Sequence, residues 1–222
     1  MLMKSLDKSS VERKEGLWRN CADSITHSLE HFSAASEENE PFQHRKWAIL
    51  SVAHAAEVYC NLLLCVFDPN HPNNPKGHYP SLDQARELLK GHPRLIGSEQ
   101  YVIEEVLSPL AKQRNTLMHM PAPEMLSATD TAIALLSLLH IIRRRTGLDT
   151  AEFFHQSPPI ERDIFEEIGW REHDAWFRIA EKLVEWEYGE GYIEGCGNCG
   201  AFAVPPDLPC QACFEPASRS RE

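Results

Sequence analysis

The chain has 222 residues, 42% of them hydrophobic, which is enough for one well-buried core and a smaller appendage. Its net charge of -11 at pH 7 argues against a protein that coats nucleic acid through a generally basic surface. The acidity belongs to the last third, because residues 149–222 hold 6 Lys and Arg against 16 Asp and Glu, whereas residues 1–148 hold 16 against 17. Local basic patches therefore remain compatible with the first part.

Hydrophobic periodicity predicts helices throughout the first part of the chain. Apolar residues recur every three or four positions over Ser10–Ala34, which indicates a helix with one buried face. Pro41 suits the first turn of a second helix that runs to about Phe67 and is apolar on most sides beyond Ala48. The proline-rich stretch Asp68–Pro80 predicts a long loop.

Three further helices are expected before residue 148. Ser81 can cap a short helix, and a longer one is expected from about Ser98 to His119, where the following prolines stop it. The next helix, after Ser127, is nearly all apolar and ends in the run Arg143–Arg145. Cations suit the negative end of a helix dipole, although the same run could serve as a basic patch.

We therefore predict an all-α fold, an antiparallel helical bundle with a helical extension and a small C-terminal zinc ribbon. The predicted divisions are a helical domain over 1–148, an acidic helical connector over 149–190 and a zinc ribbon with a tail over 191–222. The connector contains an amphipathic helix at about residues 171–188, with Trp176 and Leu183 on its apolar face.

Cysteine usage and hydropathy predict a cytoplasmic protein without a signal peptide or a membrane helix. The most apolar stretch, from Ala48 to Phe67, contains His54, Glu57 and Asn61. Three of the seven cysteines lie on apolar helix faces, and the other four form spaced pairs, which is not a disulfide framework.

The four remaining cysteines form two Cys-x2-Cys pairs separated by ten residues. This spacing predicts a tetrahedral zinc site made by Cys196, Cys199, Cys210 and Cys213. Four thiolates leave no open coordination position, so the ion would be structural rather than catalytic. The alternative is a pair of redox dithiols, and a ribbon of this kind would offer a docking point for a protein partner.

A possible catalytic site lies where the fourth helix ends. Arg114 offers a planar fork for phosphate, Asn115 lies beside it, and His119 titrates near neutral pH. Arg86 and His92 fit a looser version of the same spacing. On a regular helix, residues five apart are separated by about 140° around the axis, so either the helix distorts or a second chain completes the site.

The motif Arg114-Asn115-x3-His119 resembles that of the HEPN superfamily of all-helical, nucleic-acid-associated domains, and the resemblance extends over about residues 10–147. It implies a homodimeric endoribonuclease that needs no metal for catalysis, often a toxin or a phage-defence effector. Under this interpretation Arg114 would hold the scissile phosphate of RNA, His119 would transfer a proton, and Asn115 would orient the RNA or Arg114.

Glu57 and His54 on the second helix are weaker candidates that would line the same groove, or else they form only a polar edge on a buried helix. Two alternatives to a nuclease remain open at this point. One is a non-catalytic HEPN-like scaffold that recruits a partner through its zinc ribbon. The other is a small regulatory binding module of the antitoxin type.

Overall fold

The protein is all-α, as the sequence predicts. A computed structural model describes residues 8–37, 41–72, 77–119, 128–147, 160–167, 173–189, 193–205, 208–214 and 216. Within these ranges the only strand-like feature is an isolated antiparallel bridge between Glu194 and Val204. The helices are α1 (Lys8–Glu37), α2 (Pro41–Phe67), α3 (Leu82–Leu89), α4 (Gly97–Tyr101), a π-helix (Val102–Val106), α5 (Leu107–His119), α6 (Ala128–Thr146), α7 (Ile160–Glu167) and α8 (His173–Tyr188).

The internal contacts of the chain divide it into two compact units. Unit 1 comprises Met1–Arg94 and Leu107–Leu126, and unit 2 comprises Leu95–Val106 and Ser127–Glu222. The contacts therefore group α6 with the acidic C-terminal third, whereas the sequence places a boundary after residue 148. The predicted domain boundaries concern which segments fold independently, and they stay a prediction.

Unit 1 is built on α1 and α2, which pack against each other as an antiparallel pair. The Cys21 thiol donates to the carbonyl of Ala55 at 3.5 Å, and the Ser28 hydroxyl donates to the carbonyl of Ala48 at 2.8 Å. Later positions in α1 thus meet earlier positions in α2. Both polar groups are buried, and these hydrogen bonds satisfy them inside the apolar interface.

Helix α2 is the central helix of unit 1. Among the described residues one stretch, Phe42–Phe67, is long and apolar enough to cross a membrane, and 72% of its most apolar window is buried inside the protein. Burial of this kind is typical of a core helix, whose apolar surface contacts neighbouring helices.

Helices α3 and α5 pack against α2. The Gln84 side chain accepts a hydrogen bond from the backbone N–H of Ser81 at 3.1 Å, so Ser81 begins α3 as predicted. The amide of Asn61 donates to the carbonyl of Pro80 at 2.9 Å and fixes the end of the preceding loop. As expected, the described parts of that loop, residues 68–72 and 77–80, contain no helix or strand.

The single helix predicted from Ser98 to His119 is three consecutive elements, because a π-helix lies between α4 and α5. A π turn holds about one more residue than an α turn, which rotates all later side chains by roughly 100°. The apolar residues of the single predicted helix therefore belong to two cores. Val102 and Val106 are buried in unit 2, whereas Leu110 and Leu117 are buried in unit 1.

Unit 2 has α6 at its centre, with residues 131–142 all buried. Helix α4 lies so close to α8 that a Cβ atom on Gly97 would be 2.7 Å from the carbonyl oxygen of Trp186. The amphipathic helix predicted near 171–188 is α8, and α7 is a short helix that the sequence did not predict. Ser127, after which the sequence predicts the start of α6, lies outside the described residues.

Candidate functional site

The arginine of the Arg-polar-x3-His motif forms an ion pair with α2. Arg114 Nη1 is 3.5 Å from Glu57 Oε2, and the two side chains are 31% and 19% exposed. The same Glu57 oxygen accepts a hydrogen bond from the backbone N–H of Leu82 at 3.0 Å. The first turn of α3 therefore fixes the carboxylate, and the carboxylate holds the guanidinium at a position that solvent can reach.

The neighbouring asparagine also has a carboxylate partner. Asn115 Nδ2 donates to Asp83 Oδ2 at 3.4 Å, and Asp83 Oδ1 accepts a hydrogen bond from Arg86 Nη1 at 3.5 Å. Sequence reasoning missed Asp83, because 32 positions separate it from Asn115 and no local pattern connects them. Arg86, the looser match to the motif, is a buried partner of this acid.

His119 is the last residue of α5, and its side chain lies outside the described residues. Because α5 is α-helical from Leu107 onwards, the Cα atoms of Arg114 and His119 are separated by about 140° around the helix axis. The helix does not distort between them, since the π-helix Val102–Val106 precedes both residues. Completion of the site by a second chain is the remaining possibility, and it stays a prediction.

The second residue expected beside the motif is His54. It is exposed and lies one helical turn before Glu57 in α2. The structure therefore brings Glu57 to the arginine of the motif and places His54 on the neighbouring turn. The roles predicted for both residues in RNA binding stay predictions.

The four predicted metal ligands converge in unit 2. The Sγ atoms of Cys196, Cys199, Cys210 and Cys213 all lie within 4.8 Å of one another. The Sγ–Sγ distance is 3.8 Å both for Cys196 with Cys213 and for Cys199 with Cys210, and none of the four is in a disulfide. The cluster could hold a metal ion.

Each cysteine pair occupies a tight turn of the same design. Gly200 N–H donates to the carbonyl of Cys196 at 2.8 Å, and Phe214 N–H donates to the carbonyl of Cys210 at 2.9 Å. Gly200 has φ +78°, and Phe214, at the equivalent position of the second turn, has φ +59°. Only the first turn uses glycine for this left-handed conformation, which is uncommon for a residue with a side chain.

Backbone N–H groups in these turns face the sulfur atoms. Ala212 N–H donates to Cys210 Sγ at 3.4 Å. Burial raises the pKa of Cys199 to about 12. At Cys196 burial also opposes ionisation, but the N–H groups of Cys199 and Asn198 outweigh it and lower the pKa of that thiol. Donation to sulfur in this way orients and stabilises thiolate ligands around a metal.

Helix α8 anchors the cysteine cluster. Trp176 is 1% exposed, its Nε1–H donates to the carbonyl of Ala212 at 2.8 Å, and its ring stacks on Phe214 at 6.3 Å. The backbone N–H of Phe202 donates to Glu181 Oε1 at 2.8 Å. The Phe202 side chain itself is 63% exposed. The cluster therefore packs on α8 on one side and presents an aromatic side chain on another.

The arginine run at the end of α6 is not an available basic patch. Each arginine forms an ion pair with a glutamate from another part of unit 2, and the three glutamate side chains are at most 4% exposed. Buried carboxylates need such partners, since an uncompensated charge in the interior is costly. The pairs are Arg143 with Glu161, Arg144 with Glu187 and Arg145 with Glu99.

A buried histidine shares one of these carboxylates. His140 Nε2 lies 2.8 Å from Glu187 Oε1, and the two side chains are 6% and 4% exposed. Burial lowers the pKa of His140, which favours a neutral ring that donates its Nε2–H. At Glu187 burial would raise the pKa, but the hydrogen bond from His140 and the charge of Arg144 lower it. No sequence pattern links these residues, which are 47 positions apart.

A surface cleft of about 390 Å³ lies beside this pair, and Glu187, Tyr188, Leu208 and Gln211 are among its lining residues. Its charged groups are already engaged, since Arg144 is paired with Glu187 and its guanidinium lies 5.2 Å from the centroid of the Tyr188 ring. The cleft therefore has an apolar wall, and the charged side chains that line it are paired within the protein.

Comparison with protein-family models, with characterised proteins and with solved structures finds no match for this chain. A functional proposal consequently depends on the motif, on its geometry and on the chemistry of its side chains.

Proposed function

We propose that the protein is a metal-independent endoribonuclease of the HEPN type. Arg114 would bind the scissile phosphate, His119 would transfer a proton, and Asn115 would position the RNA. The observation that carries the proposal is the ion pair of Arg114 with Glu57, at 3.5 Å. A guanidinium has five N–H donors in one plane, so a carboxylate that holds one edge leaves the other donors oriented for a phosphate.

The reaction needs no metal if the enzyme supplies a base, an acid and a cation. A base removes the proton of the 2′-hydroxyl, the 2′-oxygen attacks phosphorus, and an acid protonates the departing 5′-oxygen. The products are a 2′,3′-cyclic phosphate and a free 5′-hydroxyl, and Arg114 would stabilise the negative charge that develops on the phosphate oxygens. The acid role is proposed for His119, because imidazole is the side chain that exchanges a proton near neutral pH.

The proposed enzyme is a homodimer with a composite site. One copy of the motif has one histidine, whereas the reaction uses both a base and an acid. The Cα atoms of Arg114 and His119 lie about 140° apart around the axis of α5, so one copy does not present both positions on one face. A two-fold axis beside α5 would bring two copies of the motif together and supply the complete set.

The biological role that the resemblance implies is that of a toxin or phage-defence effector acting in the cytoplasm. Induced expression of the wild type should then arrest growth, and expression of His119→Ala to the same level should not. Equal arrest by both proteins would show that toxicity does not depend on the proposed chemistry.

The proposed ion in the cysteine cluster is structural Zn²⁺. A tetrahedron with zinc–sulfur bonds of about 2.3 Å has edges of about 3.8 Å. The two measured Sγ–Sγ distances of 3.8 Å agree with that edge. Because four thiolates leave no position for water, the ion would stabilise the turns and would not catalyse hydrolysis. Elemental analysis should give one zinc per chain, and none after Cys199→Ser with Cys210→Ser.

A second candidate function is a non-catalytic scaffold, favoured by the partners of the motif. Arg114 and Asn115 each contact a carboxylate of their own chain, Glu57 and Asp83, as residues with a structural role would. In that case the cysteine segment, with Phe202 63% exposed, would recruit a protein partner. A regulatory module without nuclease activity would likewise use Arg114 and Asn115 as structural residues.

The deciding experiment is RNA cleavage by the purified, zinc-loaded protein without magnesium. Wild type should produce 2′,3′-cyclic phosphate ends, and His119→Ala should fold and dimerise but not cleave. His92→Ala is the matched control, because Arg86 and His92 form the looser copy of the motif and should not affect cleavage. A fully active His119→Ala variant would overturn the nuclease proposal, and loss of stability with unchanged cleavage would favour the scaffold.

A further inference from the structure

A histidine pair bridges the two long helices of unit 1 near the end where α1 and α2 are connected. His31 of α1 and His44 of α2 face each other with their Nδ1 atoms 2.8 Å apart and their ring centroids 5.0 Å apart. This cluster is separate from the motif in α5 and from the four cysteines, and neither function proposed above uses it. Both rings are half-buried, so solvent ions can reach them.

Two imidazole nitrogens at 2.8 Å leave room for a single proton between them, so one of the two presents a lone pair. An ion that replaced this proton would bind both nitrogens. With metal–nitrogen bonds of about 2.0–2.1 Å, an ion held at the 2.8 Å separation would subtend an angle of about 85–90°. Both rings would have to turn from their nearly head-on arrangement, with centroids 5.0 Å apart, to direct their lone pairs at it. That angle belongs to adjacent ligands in square-planar or octahedral geometry and is too narrow for a tetrahedral ion.

The surroundings of the pair suit a divalent cation. His27 lies one helical turn before His31, with ring centroids 4.5 Å apart, and its Nδ1 is 3.5 Å from Glu30 Oε2. This arrangement adds a carboxylate and a further imidazole beside the pair. Trp47 flanks the other side, with its ring 6.4 Å from that of His31 and 49% of its surface exposed.

We propose that His31 and His44 form a binding site for a divalent transition-metal ion of the Ni²⁺ or Cu²⁺ type. Imidazole nitrogen is a preferred ligand of these ions, and both favour square or octahedral arrangements. Water completes the coordination, and the carboxylate of Glu30 adds a favourable negative charge. The bound ion links α1 to α2 and stabilises the hairpin. This inference does not depend on the ribonuclease proposal.

The test is calorimetric titration of the full-length, zinc-loaded protein, without an affinity tag, using NiCl2. We expect one Ni²⁺ to bind per chain. Its affinity should fall about tenfold or more in His31→Ala and in His44→Ala, because loss of residues that only support metal ligands already lowers affinity by that much. His27→Ala should weaken binding less. His78→Ala is the matched control, because this exposed histidine follows the opposite end of α2.

Two readouts separate this site from the cysteine cluster. Ni²⁺ should quench the fluorescence of Trp47, and Trp47→Phe should remove that signal while leaving the calorimetric binding intact. Zinc content after the titration should still be one per chain. Absence of Ni²⁺ binding, equal binding by the wild type and both pair variants, or uptake matched by release of zinc would each overturn the proposal.

Discussion

The buried pair of Arg145 and Glu99 provides the sharpest test of how unit 2 is stabilised. The Glu99 side chain is 0% exposed, and it accepts hydrogen bonds from Arg145 Nε at 2.7 Å and from the backbone N–H of Ile96 at 3.1 Å. Arg145→Ala would leave this carboxylate buried without its cation. Removing one partner of a buried ion pair costs about 3–5 kcal/mol.

The matched control is an exposed ion pair of similar chemistry. Arg162 and Glu166 lie one turn apart in α7, 2.9 Å from each other, with side chains 46% and 61% exposed. Such surface pairs are worth about 0.3–0.5 kcal/mol, so Arg162→Ala should have little effect. Arg145→Met combined with Glu99→Gln should cost less than Arg145→Met alone, because the amide still accepts from Ile96 and no charge is left unpaired.

Equilibrium urea unfolding followed by circular dichroism measures these differences. With a urea slope of about 2 kcal/mol per molar, a loss of 4 kcal/mol moves the midpoint by about 2 M. Arg162→Ala should leave the midpoint almost unchanged. An Arg145→Ala variant no less stable than Arg162→Ala would refute the reasoning, and it would return the arginine run to consideration as an available basic patch.

Three further predictions concern the site and its supports. Glu57→Gln should slow RNA cleavage by about tenfold to a hundredfold, because the Arg114 guanidinium would no longer be held in place. The free energy of unfolding should change by less than about 1 kcal/mol. Cleavage kinetics and urea unfolding of the same variant test the two expectations. Removing the metal with a chelator should expose Trp176 and red-shift its emission, whereas unchanged emission in zinc-free protein would contradict a structural ion. Burial lowers the folded-state pKa of His140 below 6.5, so the unfolded chain binds a proton that the folded chain does not. Stability should therefore fall as the pH drops below about 6.5. In His140→Gln this loss of stability should be absent, whereas the loss at lower pH that comes from protonation of Glu187 should remain. Both are read from the unfolding free energy measured against pH.

The helices of unit 1 show what local patterns can predict. The period of apolar residues gave α1 and α2 to within a few residues, because an amphipathic helix needs only contacts that recur every turn. The pattern could not show the π-helix at Val102–Val106. A π turn is uncommon, and here Val102, Ile103 and Val106 are buried in the core of unit 2, which is a tertiary requirement.

In the candidate sites, too, local spacing predicted some features and tertiary packing decided the others. Cys-x2-Cys spacing predicted convergence of four thiols, because each pair closes a turn of fixed size, and the structure confirms that convergence. The partner of Asn115 could not be predicted, since Asp83 is brought to it by the packing of α3 beside α5. Likewise the histidine pair His31 and His44 depends on the register between two long helices.

The sequence by itself determined the helical class, the ends of most helices and which four cysteines come together, because each follows from spacing along the chain. Only the tertiary structure decided how charges are paired. From the sequence, the arginine run suited the end of a helix and could also have been a basic patch, whereas in the structure its three arginines pair with three buried glutamates from distant segments. Charge pairing in an interior is set by which side chains lose water together, and that depends on the whole fold.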